Sequence, residues 1–145
     1  MPGCDPYNLQ RFADAQQGVI GIVLAELRAG AKQSHWMWFI FPQLAELGHS
    51  PTAKYFGIGS IEEARAYLAH PVLGPRLRES LESLLPWAGK RSAVEIFGQV
   101  DAMKLRSSLT LFDQVEPEGP FAAALSALFE DKVDELTLAL LNARR

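Results

Sequence analysis

Lys32, His35, Trp36, Trp38, Asp101, Lys104, Ser107 and Ser108 are residues whose types and spacing suit chemistry, and His70 and Arg76 join them from a third segment. Lysines and arginines near helix N-termini build an anion site, because point charge and helix dipole add. Trp36, Trp38 and Tyr55 offer flat faces on which a ring stacks. Asp101 and His35 are the groups able to activate water as a general base. Cations, rings and hydroxyls together suit a nucleotide, a sugar phosphate or a similar metabolite. Each residue has a plainer reading beside that one. The tryptophans are core material, and the histidines core or capping groups. Asp101 is an N-cap worth about 1 kcal/mol to its helix. Lys104 and Arg76 then only pair with helix ends, and Ser107-Ser108 is a slightly unfavourable helical pair.

The elements that position these residues centre on Lys32–Gln43, where Trp36 to Phe41 is an unbroken run of large apolar side chains. As a helix it places Lys32, His35, Trp36 and Phe39 on one face; as a strand it sets Trp36, Trp38 and Ile40 against Met37, Phe39 and Phe41. A short apolar run does not decide between them by periodicity. Pro42 ends either element.

Upstream, Asp5-Pro6 reads as an N-cap with proline at the first helical position. Leu9, Phe12, Ala13, Gln16, Val19, Ile20, Val23, Leu24 and Leu27 follow at helical spacing. Gly18 and Gly21 either split this stretch or lie in one long helix, and Gly30 stops it. Gln16 falls on the apolar stripe, as a core amide or as a residue reaching a pocket. Leu44–Leu47 forms a helical turn closed by Gly48. Ser60 and Glu63 make a capping box for a helix to about Ala69. His70-Pro71 restarts a helix that buries Leu73, Leu77, Leu81, Leu84 and Leu85 and ends at Pro86. Ser92 and Glu95 make a second box for a helix stopping at Gly98. Asp101 caps a helix to Asp113 with Ala102, Leu105, Leu109 and Phe112 inward. After a linker at Glu116–Pro120, helices over Pro120–Phe129 and Val133–Asn142 turn Leu125, Leu128, Leu136, Leu140 and Leu141 inward. The pattern predicts an all-α, single compact domain spanning 1–145, with seven or eight helices and at most one short strand.

Composition excludes several classes. Hydrophobic content of 48% and charged content of 21% are those of a globular chain, and its 145 residues bury a real core. A net charge of −3 and the lack of a basic run argue against a nucleic-acid polymer as partner. One cysteine, Cys4, permits no intrachain disulfide, which fits a reducing compartment. No apolar run reaches the ~18 residues of a membrane span and no signal-peptide pattern opens the chain, so a soluble cytoplasmic protein is expected. The three histidines, at 35, 49 and 70, show no metal-ligand spacing. No nucleophile elbow, dinucleotide fingerprint or P-loop is present. Neither metal nor cofactor is expected.

The chain resembles the bacterial domain-of-unknown-function family 1810, sometimes mislabelled calpastatin. The resemblance is carried by Asp5–Leu9, Arg11-Phe12, Ala15-Gln16, Lys32-x-x-His-Trp-Met-Trp-Phe-Ile-Phe-Pro-Gln43 and Leu47-Gly48. It continues in Tyr67-Leu-x-His-Pro-x-Leu-Gly-x-Arg-Leu77, Phe97-Gly98 and Asp101-x-x-Lys-Leu-x-Ser-Ser-x-Thr-Leu-Phe112. It implies a compact multihelical domain and puts His35, Trp36, Trp38, His70, Asp101 and Lys104 inside family motifs, without supplying a reaction. The His-Pro-x-Leu-Gly-x-Arg-Leu phrase is similar in flavour to small helical proteins that hydrolyse N-glycosidic bonds of ADP-ribose-like compounds. The expectation is a hydrolase acting on a small anionic, nucleotide-like metabolite. Lys32, Arg76 and Lys104 would hold phosphate, Trp36 or Trp38 stack the base, and Asp101 or His35 activate water. The rival is a non-enzymatic interaction module that presents Trp36–Phe41 as an exposed apolar groove. Oligomeric state is left open.

Overall fold

The computed structural model describes residues 4–143. Ten α-helices follow in order among them: α1 (Gln10–Gln16), α2 (Ile20–Ala29), α3 (Met37–Ile40), α4 (Pro51–Tyr55), α5 (Ile61–Ala69), α6 (Leu73–Leu84), α7 (Ala93–Phe97), α8 (Gln99–Val115), α9 (Pro120–Phe129) and α10 (Glu135–Asn142). Single 3₁₀ turns lie at Ala45–Leu47 and Leu85–Trp87. The fold is all-α. Its β-type pairing, among the described residues, is one isolated parallel bridge between Leu44 and Ile58. None of the described helices is long and apolar enough to cross a membrane.

The longest helix, α8, lies at the centre, packed by α5, α7, α9 and α10. It buries Ala102, Leu105, Leu109 and Phe112 as the spacing predicts. It also buries Ser107, Ser108, Thr110 and Leu111, so it is enclosed on more than one side. Around it one continuous core runs from Phe12 through Trp36, Tyr67 and Leu81 to Phe121 and Leu141.

Local signals explain most boundaries. Gly18 takes a left-handed φ of +87° and separates α1 from α2, while Gly30 closes α2 in the αL region. The Ser92–Glu95 capping box is complete, with both reciprocal bonds made. At Ser60 only half of the expected box forms. Its hydroxyl accepts from Glu63 N, but the Glu63 carboxylate turns to Gly59 N and to Arg11 instead. Four expectations are corrected. Asp5 does not start a helix at Pro6; its carboxylate reaches across a turn to cap Leu9 N at 2.8 Å and Gln10 N at 2.9 Å. Asp101 is not an N-cap, because Gly98 holds that place and Asp101 stands within the first turn of α8. The last helix opens at Glu135 under an Asp134 cap rather than at Val133. Leu136 is exposed rather than inward.

A residue outside the apolar pattern ties the N-terminal third together. Arg11 donates to the carbonyls of Tyr7, Asn8, Tyr55 and Gly57 and pairs with Glu63 at 2.8 Å. The guanidinium fork therefore fastens the turn before α1 to the loop after α4 and to α5. Gly57 in that loop has no room for a side chain, since a Cβ would lie 2.3 Å from the Ala45 Cα.

Candidate functional site

Only four residues of the central stretch, Met37–Ile40, are helical, and their placement depends on polar anchors to either side. Before α3, the carboxylate of Glu26 in the last turn of α2 takes four donors. These are Gln33 N at 2.8 Å, Ser34 N at 3.0 Å, Trp36 Nε1 at 2.9 Å and the Ser34 hydroxyl at 2.6 Å. Burial by itself raises the Glu26 pKa, but the Ser34 hydroxyl, the two amides and the indole together outweigh it and hold the pKa at about 2. At the end of α3, Gln16 Nε2 donates to the Phe39 carbonyl at 2.7 Å. Between these anchors Trp36, Met37, Ile40 and Phe41 go into the core. Trp36 and Phe41 each meet Phe97 edge to face.

The loop before α3 delivers Lys32 to α8. Lys32 N donates to the Ile96 carbonyl at 2.8 Å, which fixes the backbone against α7. Its ammonium lies 2.8 Å from Asp101 Oδ2, donates to the Ser34 carbonyl at 2.6 Å and sits 5.0 Å from the Trp36 ring centroid. Lys104, one turn along α8, lies 3.7 Å from Asp101 Oδ1 and 5.1 Å from the Trp38 centroid. One carboxylate thus stands between two ammonium groups, each over an indole. The Lys32 side chain is 6% exposed, that of Asp101 21% and that of Lys104 24%, so the cluster opens on the Lys104 side. Ser108, four residues beyond Lys104 and seven beyond Asp101, shares their face of α8; its buried hydroxyl has no hydrogen-bond partner among the described residues.

The cluster brings Lys32, Trp36, Trp38, Asp101 and Lys104 together, with exposed His35 on the same loop. Other candidates lie elsewhere. His70 Nδ1 accepts from Val72 N and Leu73 N and so caps the start of α6. Ser107 donates to the Met103 carbonyl and Asp134, tying α8 to α10. Arg76 reaches the Gln16 amide. Trp36 is sealed in the core, with its N–H on Glu26, and presents no face to a ligand; Trp38 is half-buried and is the available ring. Tyr55 is exposed and stacks edge-on against Phe56. The space bounded by Met37, Trp38, Phe41, Gln43, Ala53, Phe56 and Lys104 is about 10 Å³, no more than one water occupies. The two segments meet as the sequence anticipates, but the gap between them is closed. Among the described residues no set of three or more His, Cys, Asp or Glu gathers as metal ligands would.

Glu26 is the residue that reading the sequence missed. A signal for it exists: a carboxylate in a helix's last turn opposes the dipole and needs compensating donors.

The class that the fold and site define is a small all-helical protein displaying a lysine–carboxylate–lysine cluster on an aromatic floor. The chain belongs to the family described as "Protein of unknown function (DUF1810)", which matches residues 6–141. It is similar in structure to the conserved hypothetical protein Rv1873 from Mycobacterium tuberculosis. The TM-score is 0.91 and the identity 48%, over 95% of this chain and 99% of that one. A search of curated proteins found no match to the chain.

Proposed function

We propose that the protein binds a small anionic, nucleotide-like metabolite over Lys104, Trp38 and Asp101, and hydrolyses an N-glycosidic bond of the ADP-ribose type. The observation carrying this reading is the charge balance of the cluster: two ammonium groups share one carboxylate, which leaves a net positive charge beside an available indole. A phosphate replaces water around Lys104, and the ring of the ligand takes the Lys104 position on Trp38. Lifting that lysine off the indole costs about 0.5–1 kcal/mol, small against a phosphate–ammonium contact. Lys32 then holds Asp101 in place, where the carboxylate stabilises positive charge developing on a sugar carbon. His35, exposed on the adjoining loop, accepts the proton of the attacking water as the bond to the base breaks. Burial of Trp36, Met37, Ile40 and Phe41 weighs against the rival reading of an exposed aromatic groove.

The test is a thermal-shift and turnover screen with ADP-ribose, NAD and nucleoside phosphates on the wild type and on Lys104→Ala. Stabilisation by at least one compound, lost in the variant, is expected. No stabilisation and no turnover with any of them overturns the proposal.

A further inference from the structure

A cavity of about 380 Å³ lies at the ends of α2 and α6 and shares no residue with the Lys32–Asp101–Lys104 cluster. Its volume falls at the small end of the range for small-molecule sites, about 300–1,000 Å³. Every lining residue is exposed or half-buried, so a ligand reaches it directly from solvent. Trp87 is the aromatic member of the lining. Its indole N–H donates to the carbonyls of Leu27 at 3.1 Å and Arg28 at 3.3 Å, at the end of α2. The ring presses on Gly30, where a Cβ would lie 2.6 Å from its Cε2. Held at its edge and packed on a glycine, this indole is a fixed platform, and a ligand that uses it loses little to ordering the protein. Trp36 and Trp38 each carry a lysine over the ring; Trp87 carries neither cation nor second ring among the described residues.

The charges beside that platform are balanced but unpaired. Glu79 and Glu82 come from α6, Arg28 from the last turn of α2, and Lys90 from the loop beyond Trp87. Among the described residues none of the four enters an ion pair, although all line one cavity. Glu82 stands in the last turn of α6, which holds no basic residue, so its carboxylate opposes the helix dipole. Glu26 has the same disadvantage in α2 and is compensated by four donors, whereas Glu82 has none among the described residues. A simple anion would meet the glutamates here, and a simple cation would meet Arg28 and Lys90. We infer that the cavity binds a small zwitterion, an amino acid or short peptide with an aromatic side chain. Its ammonium group goes to Glu79 and Glu82, its carboxylate to Arg28 and Lys90, and its ring to Trp87.

The experiment is a titration followed by tryptophan fluorescence, with phenylalanine and with glycylphenylalanine as zwitterions. Phenethylamine and phenylacetate are the single-charge comparisons. Wild type, Trp87→Phe, Lys104→Ala and two double variants, Glu79→Gln with Glu82→Gln and Arg28→Gln with Lys90→Gln, are each checked for folding by circular dichroism. A saturable change with Kd of about 1 mM is expected for at least one zwitterion in the wild type. The tighter of the two tells whether a free amino acid or a peptide is the natural occupant. Kd should rise about tenfold in each double variant, and about tenfold for each single-charge compound. The signal should vanish in Trp87→Phe and stay unchanged in Lys104→Ala. Should Trp87→Phe not fold, the double variants decide, because their side chains are exposed. No saturable change with either zwitterion, a single-charge compound binding as tightly, weakening in fewer than both double variants, or loss in Lys104→Ala overturns the inference. These outcomes are independent of the metabolite reading at Lys104, because no probe carries a phosphate.

Discussion

Replacing Glu26 with glutamine tests how the central stretch is held. The Glu26 carboxylate falls from an ordinary 4.5 to about 2 on folding, which corresponds to about 3 kcal/mol of stability at neutral pH. Partial access of water to the carboxylate brings the expected loss nearer to ~2 kcal/mol. Glutamine keeps one acceptor but places an NH₂ against the Ser34 and Gln33 donors. For a chain of this size ~2 kcal/mol lowers Tm by about 6 °C. The sign with pH follows from the depressed pKa. The stabilisation is complete above the unfolded value of 4.5 and is lost as pH falls through the folded value of about 2. Urea unfolding of Glu26→Gln and wild type in parallel at pH 7, 4 and 2.5 reads the difference directly, since every other carboxylate titrates in both proteins. The gap should be full at pH 7 and narrow steadily through the two acid points. A gap that stays constant across this range, or one below about 0.5 kcal/mol at pH 7, refutes the reasoning.

Other perturbations follow from the same geometry. Arg11→Met leaves four carbonyls and the buried Glu63 carboxylate without their common donor, and should destabilise by about 3 kcal/mol in chemical denaturation. Gly74→Ala gains about 1 kcal/mol in helix propensity, but its Cβ would lie 2.2 Å from the Leu68 carbonyl oxygen. The clash wins, so a net loss of about 2 kcal/mol or more by thermal melting is expected. Lys32→Met strips the buried partner from Asp101 and should cost about 2–3 kcal/mol, whereas Lys104→Ala, at 3.7 Å and more exposed, should cost under about 1 kcal/mol in the same assay. His35→Ala, on an exposed side chain, should move Tm by less than a degree or so, while lowering turnover of any compound the protein hydrolyses.

Where a boundary is written in neighbouring residues, it is legible in the chain. Pro120–Phe129 coincides with the predicted helix because proline opens it and the apolar spacing runs unbroken. Gly18, Gly30 and the Ser92–Glu95 box act where they stand. Boundaries set by reach are harder. Asp5 caps backbone four and five residues away because a turn folds it back, and adjacency to Pro6 suggested a closer helix. The short α3 and α4 are below what periodicity resolves, so ten helices stand among the described residues where seven or eight were expected. The Lys32–Asp101 pair joins segments far apart in sequence and leaves no local trace; only the suitability of each residue type was visible. Packing around Trp36 was ambiguous for a related reason, since an aromatic over a cation serves a core as well as a ligand.

Glu26 and Gln16 hold the stretch around α3 by its backbone and its indole, and both belong to other helices. Structure and display are consequently assigned to different residues. Positions 35, 38 and 104 lie on the outward side and carry none of those tethers. They can be randomised as a library on an otherwise fixed frame, which makes this chain a workable scaffold for selecting new recognition surfaces.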